Sequence, residues 1–150
     1  MRSVTRFATL LFATAALAAC DDKADFSNVV LPNVTSIGGT FVLQTLNGQA
    51  LPVIIDNGPP VVRLTASTLS LVATNATSGT FSLSITTDDG TGPVAAVATG
   101  TFTLNGTALS LVITNPAGAP AITGSFNGGN TLTLTLAQNG TNFTAVYTRQ

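Results

Sequence analysis

From Gly39 onward, hydrophobic and polar residues alternate along most of the chain. Phe81, Leu83 and Ile85, for example, are separated by single serines. A period of two is typical of β-strands that bury one face and expose the other to water. The polar positions are largely threonine and serine, and β-branched threonine suits a solvent-exposed strand face. The pattern predicts nine strands, at residues 39–46, 50–56, 61–73, 79–87, 94–104, 107–114, 121–126, 131–137 and 142–149.

Turn-forming residue pairs separate these runs at short intervals. Asn47-Gly48, Asp89-Gly90 and Asn105-Gly106 are strong local indications of tight hairpins, because both turn positions need positive φ. No stretch after Cys20 has a convincing helical period. Eight or nine short antiparallel strands with tight connections predict an all-β fold. The predicted architecture is an up-and-down β-barrel, with a β-sandwich as the alternative.

A short phrase recurs along the predicted strands. Gly-Thr-Phe stands at residues 39–41, 79–81 and 100–102, and Gly-Ser-Phe stands at 124–126. The unequal intervals do not fit a solenoid or a propeller. We interpret the phrase as a hairpin element in which glycine ends a turn and phenylalanine enters the core. The residues expected to line the interior are Phe81, Leu83, Phe102, Leu111 and Leu134.

Residues 1–19 have the three-part organisation of a secretory signal peptide. Two arginines give a positive start, an apolar stretch begins at Phe7, and small residues precede Cys20. The apolar stretch ends at Ala19, so it is shorter than the roughly 20 residues that a membrane-spanning helix needs. The segment therefore predicts export and not a transmembrane helix.

The residues Leu17-Ala18-Ala19-Cys20 resemble the lipobox of bacterial lipoproteins. The resemblance implies cleavage before Cys20, a diacylglycerol on its sulfur and acylation of the new amino terminus. Several acyl chains make a stable anchor, at about 0.8 kcal/mol per buried CH₂. It also implies a location in the bacterial cell envelope, on a membrane surface that faces the periplasm or the exterior. Residues 20–38, which carry three aspartates, are then an acidic tether below a domain at 39–150.

Composition removes most chemistry from consideration. Only 7% of the residues are charged, against roughly 25% in an average soluble domain, and the chain has no His and one Cys. A Ser or Thr nucleophile lacks a base, since the one lysine, Lys23, lies in the tether. No basic patch indicates a nucleic-acid partner. Asp56, Asp88 and Asp89 have oxygens that suit calcium, but Asp88-Asp89-Gly90 is turn chemistry. We therefore predict a non-catalytic protein with no metal or cofactor site.

The domain resembles the small lipocalin-like or META-like barrels of bacterial envelope lipoproteins. The segments that carry this resemblance are residues 39–43, 47–52, 100–106 and 130–134, followed by Val146-Tyr147-Thr148-Arg149. Lipocalins open with Gly-x-Trp, and an arginine from the last strand covers the Trp. Here Phe41 stands at the Trp position and Arg149 is available for the arginine role. The resemblance thus implies a cation–π contact that closes the first strand on the last, worth about 0.5–2 kcal/mol.

Two functions follow from a barrel of this size. An eight-stranded barrel is either filled by side chains or holds one small ligand. Because the inward positions are mostly Phe, Leu, Ile and Val, we expect a largely filled interior. The favoured function is a membrane-anchored structural or interaction module that contacts another envelope component, for example an envelope protein. The alternative is the binding or carriage of a small hydrophobic ligand. No sequence feature indicates an oligomeric state.

Overall fold

The computed structural model describes residues 37–138 and 140–150. Its strands are β1 (Gly39–Leu46), β2 (Gln49–Ala50), β3 (Val53–Asp56), β4 (Val62–Ala73), β5 (Ser78–Asp88), β6 (Pro93–Asn105), β7 (Ala108–Asn115), β8 (Ile122–Phe126), β9 (Thr131–Gln138) and β10 (Thr141–Arg149). In this part of the chain no helix is long and apolar enough to cross a membrane. The predicted signal peptide, Cys20 and the tether up to residue 36 lie outside the described residues.

The observed strands agree with the sequence pattern except after the first hairpin. The strand predicted at 50–56 is two strands, because β2 pairs with β1 whereas β3 pairs with β4. Pro52 lies between them and has no N–H to donate to a ladder. The prediction of one continuous strand here was wrong, since the chain changes its pairing partner at the proline.

The sheet closes on itself. Strands β4 to β10 pair in chain order, each antiparallel to the next, and β1 pairs with both β10 and β4. The result is a closed antiparallel barrel of eight strands, β1 and β4 to β10, with β2 and β3 attached to its edge. The predicted all-β up-and-down barrel is confirmed, and the sandwich alternative is not adopted. Closure leaves the eight barrel strands with few free edges.

Strand β1 closes the barrel by pairing with two strands, and Phe41 lies where both pairings meet. Phe41 lies opposite Leu69 of β4 and opposite Arg149 of β10. The last residue, Gln150, donates its backbone N–H to the carbonyl of Thr40 at 3.0 Å. Register shifts in β1 and β4 mark β-bulges, which bend strands and help a sheet to curl.

The recurring glycines and phenylalanines lie opposite each other on the adjacent strands β5 and β6. Phe81 of β5 lies directly opposite Gly100 of β6, and Phe102 of β6 lies opposite Gly79 of β5. Each ring therefore lies over a glycine of the neighbouring strand, where a side chain would collide with it. The expectation that this glycine ends a turn was wrong for Gly100, which lies in the middle of β6. Its role is close approach between strands at a point of strong curvature.

The barrel has two different ends. At one end, here called the closed end, lie the connections 74–77, 106–107 and 127–130 together with the start of β1 and the last residue of β10. At the other, the open end, lie the connections 89–92 and 116–121, the end of β9 and the start of β10. Phenylalanine, leucine and tyrosine side chains fill the closed half. Ile37, assigned to the tether by sequence, is also buried in this core.

Candidate functional site

A cavity of about 390 Å³ opens at the open end of the barrel. Its walls come from the parts of β5, β6, β7 and β9 nearest the open end, from the segment that leads into β8, and from β3. The lining residues are Ile55, Leu83, Ile85, Thr87, Ala98, Ile113, Pro120, Ala121, Ile122, Leu136 and Ala137. The cavity is therefore aliphatic on nearly all sides.

Small inward residues on β6 leave this space open. Ala98 lies opposite Leu83, and Ala96 lies opposite Ile85, so both alanines face the same side of the sheet as those residues. In the closed half the equivalent volume is taken by Phe81 and Phe102, which are 4% and 1% exposed. The expected filled interior is thus interrupted at the open end by this cavity, although Leu46, Val53 and Leu64 are buried in the same half. The reason is the change from phenylalanine to alanine at inward positions along β6.

No charged side chain lines the cavity, and the hydroxyl of Thr87 is its one polar side chain. The four charged residues Asp56, Arg63, Asp88 and Asp89 lie at the open end, in or beside the β3, β4 and β5 termini. The three aspartates outnumber the one arginine there, so the rim has a negative net charge. A ligand inside the cavity would meet apolar walls and no partner for a charge.

Each of the three rim aspartates accepts hydrogen bonds from residues of its own turn. The carboxylates of Asp56 and Asp88 accept backbone N–H groups of Gly58 and Gly90 at 2.8 and 2.7 Å. Asp89 accepts the Thr91 hydroxyl at 2.6 Å and the Thr91 N–H at 3.0 Å. The hydroxyl bond, followed by the N–H bond, lowers the pKa of the Asp89 carboxyl. Across residues 37–138 and 140–150, no three acids, cysteines or histidines group as metal ligands.

One polar bridge lies within the apolar interior, and sequence reasoning missed it. The Tyr147 hydroxyl of β10 lies 2.9 Å from Ser67 Oγ of β4, and Ser67 Oγ donates to the Ser84 carbonyl at 3.0 Å. Tyr147 and Ser67 are 0% and 3% exposed. Ser67 also lies opposite Ile85, which lines the cavity. The available indication was a serine at an inward position of an otherwise apolar strand face.

The buried phenol is expected to titrate late. Burial raises the pKa of Tyr147 above its usual 10.0, while the hydrogen bond with Ser67 acts in the opposite direction. In the unfolded chain the phenol ionises at a lower pH than in the barrel. The stability that the neutral, buried Tyr147 contributes is therefore present below about pH 10 and is lost as the pH rises through the folded pKa. Since Tyr147 is the one tyrosine and there is no Trp, the appearance of phenolate absorbance follows this group alone. A phenolate midpoint at the usual value, with the barrel folded, would contradict the buried bridge.

The structure places the sequence-predicted interior residues inside the barrel. Leu83 lines the cavity, and the others belong to the packed core below it. The side chains in question, all less than 5% exposed, are Phe81, Leu83, Phe102, Leu111 and Leu134. Phe41 and Arg149 lie at the closed end, away from the cavity, with the guanidinium carbon 5.0 Å from the Phe41 ring centroid. Cys20 lies outside the described residues.

The comparisons with known proteins concern the fold. The topology is an eight-stranded meander whose first strand closes on both the second barrel strand and the last. No family model matches the sequence, and no curated protein matches it at a significant level. Among solved structures the chain is similar to Japanin from Rhipicephalus appendiculatus bound to cholesterol, with 10% sequence identity and a TM-score of 0.48 over 75% of this chain and 74% of that one.

Proposed function

We propose that the barrel binds a small, uncharged hydrophobic molecule in the cavity at its open end. The observation that carries this proposal is the aliphatic cavity of about 390 Å³, a volume within the roughly 300–1,000 Å³ of small-molecule sites. It favours the ligand-binding alternative over a module with a filled interior. Burial of an apolar ligand against these walls supplies the binding energy, at roughly 25 cal/mol per Å².

The chemistry of the walls defines the ligand class. A charged group inside the cavity would lose its hydration without gaining a partner, which is costly. A fatty-acid carboxylate at the rim would also meet the excess of negative charge from Asp56, Asp88 and Asp89 over Arg63. A ligand with at most one hydroxyl or carbonyl group fits best, and the Thr87 hydroxyl is the side chain that can bond to it.

Filling the cavity is expected to abolish ligand uptake. Ala98→Phe puts a ring into the space opposite Leu83, and we expect the affinity for a neutral fluorescent lipid probe to fall by more than about tenfold, or 1.4 kcal/mol. The matched control is Ala66→Phe, at an exposed position outside the cavity lining. Fluorescence titration of both variants and the unmodified chain measures the effect.

The same proposal has a test without any added probe. Protein purified from its native host and then denatured is expected to release a neutral lipid that mass spectrometry identifies. If no lipid is released, and the unmodified chain takes up neither neutral nor fatty-acid probes, the cavity is not a binding site. Uptake of a fatty-acid probe in preference to a neutral one would contradict the ligand class.

We also propose that the chain is a lipid-anchored, non-catalytic protein of the bacterial cell envelope. The support is the lipobox-like sequence that ends at Cys20 and the apolar segment before it. Non-catalytic function is supported by the aliphatic walls, where the Thr87 hydroxyl has no basic side chain among the other lining residues. Cys20→Ser is expected to move the protein from the membrane fraction to the soluble fraction. A variant that stays membrane-bound would contradict the lipid anchor.

A further inference from the structure

The first half of β6 has a free edge. Strand β5 pairs with β6 along all of Pro93 to Thr103, but β7 pairs only with Thr99 to Asn105. Within the described parts of the chain, no strand pairs with the other edge of residues 93–98. This segment therefore projects beyond β7 at the rim of the open end.

The hydrogen-bonding direction of each residue on this edge follows from the register. The Leu104 N–H donates to the Thr77 carbonyl at 2.7 Å, so Leu104 bonds toward the β5 side. The β5–β6 register runs without a shift, so the even-numbered residues of β6 bond to β5 and the odd-numbered ones bond away from it. The Thr99 carbonyl agrees, since it accepts the Thr114 hydroxyl of β7 at 3.2 Å. The N–H and C=O groups of Ala95 and Val97 thus point to the free edge.

The side chains of this edge are apolar and exposed. Val94 and Val97 are 63% and 55% exposed, and residues 93–98 contain no charged or polar side chain. Native proteins usually protect such an edge with lysine or another charge. Pro93 limits it at one end, because its odd-numbered position has no N–H to offer.

We propose that this edge pairs with the same edge of a second copy of the chain, antiparallel and centred on Ala96. A two-fold axis perpendicular to the sheet keeps each face in register, so the pairing must be centred on a residue. Centring on Ala96 places each valine opposite an alanine, Val94 with Ala98 and Ala95 with Val97. Ala95 of each copy then exchanges both backbone hydrogen bonds with Val97 of the other.

Shifting the pairing by one residue in either direction gives a less favourable register, because Pro93 or Thr99 then enters the pairing. Centring on Ala95 makes as many hydrogen bonds, but it places Val97 opposite Pro93, so the Val97 carbonyl in the middle of the segment is left without an N–H partner. Centring on Val97 places Ala95 opposite Thr99, where β7 already occupies the edge. The segment has no charge to attract a partner of opposite sign, so its complement is its own valine and alanine sequence.

The pairing has a consequence for the open ends. Because the paired strands run in opposite directions, the two barrels extend away from the axis, with their open ends toward each other. Ala98, which lines the cavity, lies opposite Val94 of the second copy. The inference does not depend on ligand binding, since it rests on the backbone edge alone.

A cysteine at the axis tests the register directly. Ala96 of each copy forms a pair without hydrogen bonds, with Cα atoms about 4.5 Å apart. That separation lies inside the roughly 4.4–6.8 Å range of disulfides. Ala96→Cys in the full chain carrying Cys20→Ser is expected to form a disulfide-linked dimer under mild oxidation. Val72→Cys in the same background is the control, because Val72 is 62% exposed and lies on β4, away from this edge.

Sedimentation equilibrium provides the second measurement. In the Cys20→Ser background, which has no lipid, the otherwise unmodified chain is expected to double its mass as its concentration rises. Ala95→Pro removes an N–H that does not bond to β5, so it should remain monomeric and should melt where the unmodified chain melts at a dilution that keeps it monomeric. If it fails to fold, Val97→Lys replaces it, since an exposed edge lysine opposes pairing. A monomeric unmodified chain, equal cross-linking of the two cysteine variants, or dimerisation of the folded edge variant would each overturn the proposal.

Discussion

Gly100→Ala is expected to destabilise the barrel by about 3 kcal/mol, the upper end of the usual cost of overpacking. A Cβ atom at this position would overlap the Val112 carbonyl oxygen and lie 2.8 Å from the Phe81 ring. The ring could turn slightly, but the carbonyl belongs to the β6–β7 ladder and cannot withdraw without breaking it. The methyl group therefore separates two strands of a closed sheet, and the strain is not relieved locally.

Chemical denaturation of the variant and the unmodified chain measures this effect. Gly79→Ala is expected to behave similarly, because its Cβ would overlap the Val72 carbonyl oxygen and lie 2.7 Å from the Phe102 ring. Gly129→Ala is the control: its nearest neighbour is the Asn127 side chain at 3.5 Å, and its stability should stay within about 0.5 kcal/mol. If Gly100→Ala were as stable as the control, the close approach of β6 to β7 would be wrong.

Phe41→Ala is expected to cost about 3–5 kcal/mol, as for other large-to-small changes in a core. Phe41 is 0% exposed and meets the Phe126 ring edge-on, with centroids 6.2 Å apart and an interplanar angle of 89°. The Arg149 guanidinium carbon lies 5.0 Å from the Phe41 centroid and 5.8 Å from that of Phe126. Loss of the ring removes the packing that holds β1 between β4 and β10.

The contribution of the arginine can be separated from that of packing. Arg149→Ala is expected to cost about 0.5–2 kcal/mol, the usual range of a cation–π contact. In a Phe41→Leu background, which keeps an apolar core side chain, the same arginine change should cost less. An unchanged melting temperature for Arg149→Ala would contradict a stabilising role of this contact in barrel closure. Equal costs in the two backgrounds would assign the effect to Phe126 or to the stem of the arginine.

Most strands could be predicted because their cause is local. Inward and outward positions alternate, and Asn-Gly or Asp-Gly pairs define the hairpins, so residues 79–87 and 131–137 already identify β5 and β9. The region around Pro52 could not be predicted in the same way. Its strands differ only in the neighbour with which each pairs, and that neighbour is distant in sequence.

The candidate site was predicted less completely than the fold. Sequence reasoning selected Leu83 as an interior residue, yet it did not distinguish the packed half from the open half. Ala98 faces the cavity only because the uninterrupted β5–β6 register aligns it with Leu83. The bridge between Tyr147 and Ser67 spans residues that are far apart in the chain, and it forms only once β1 pairs with both β4 and β10 and brings them to its two sides.

By itself the sequence determined an all-β chain of short antiparallel strands, because the alternation of hydrophobic and polar residues and the turn-forming pairs act over only a few residues. It also determined that the surface is nearly uncharged and that the first strand carries the aromatic residue Phe41. Only the tertiary structure decided how the barrel closes, where phenylalanine fills it and where alanine leaves a cavity. The reason is geometric: closure brings side chains from β3, β5, β6, β7 and β9 to one end, and the volume left between them depends on all of these strands together.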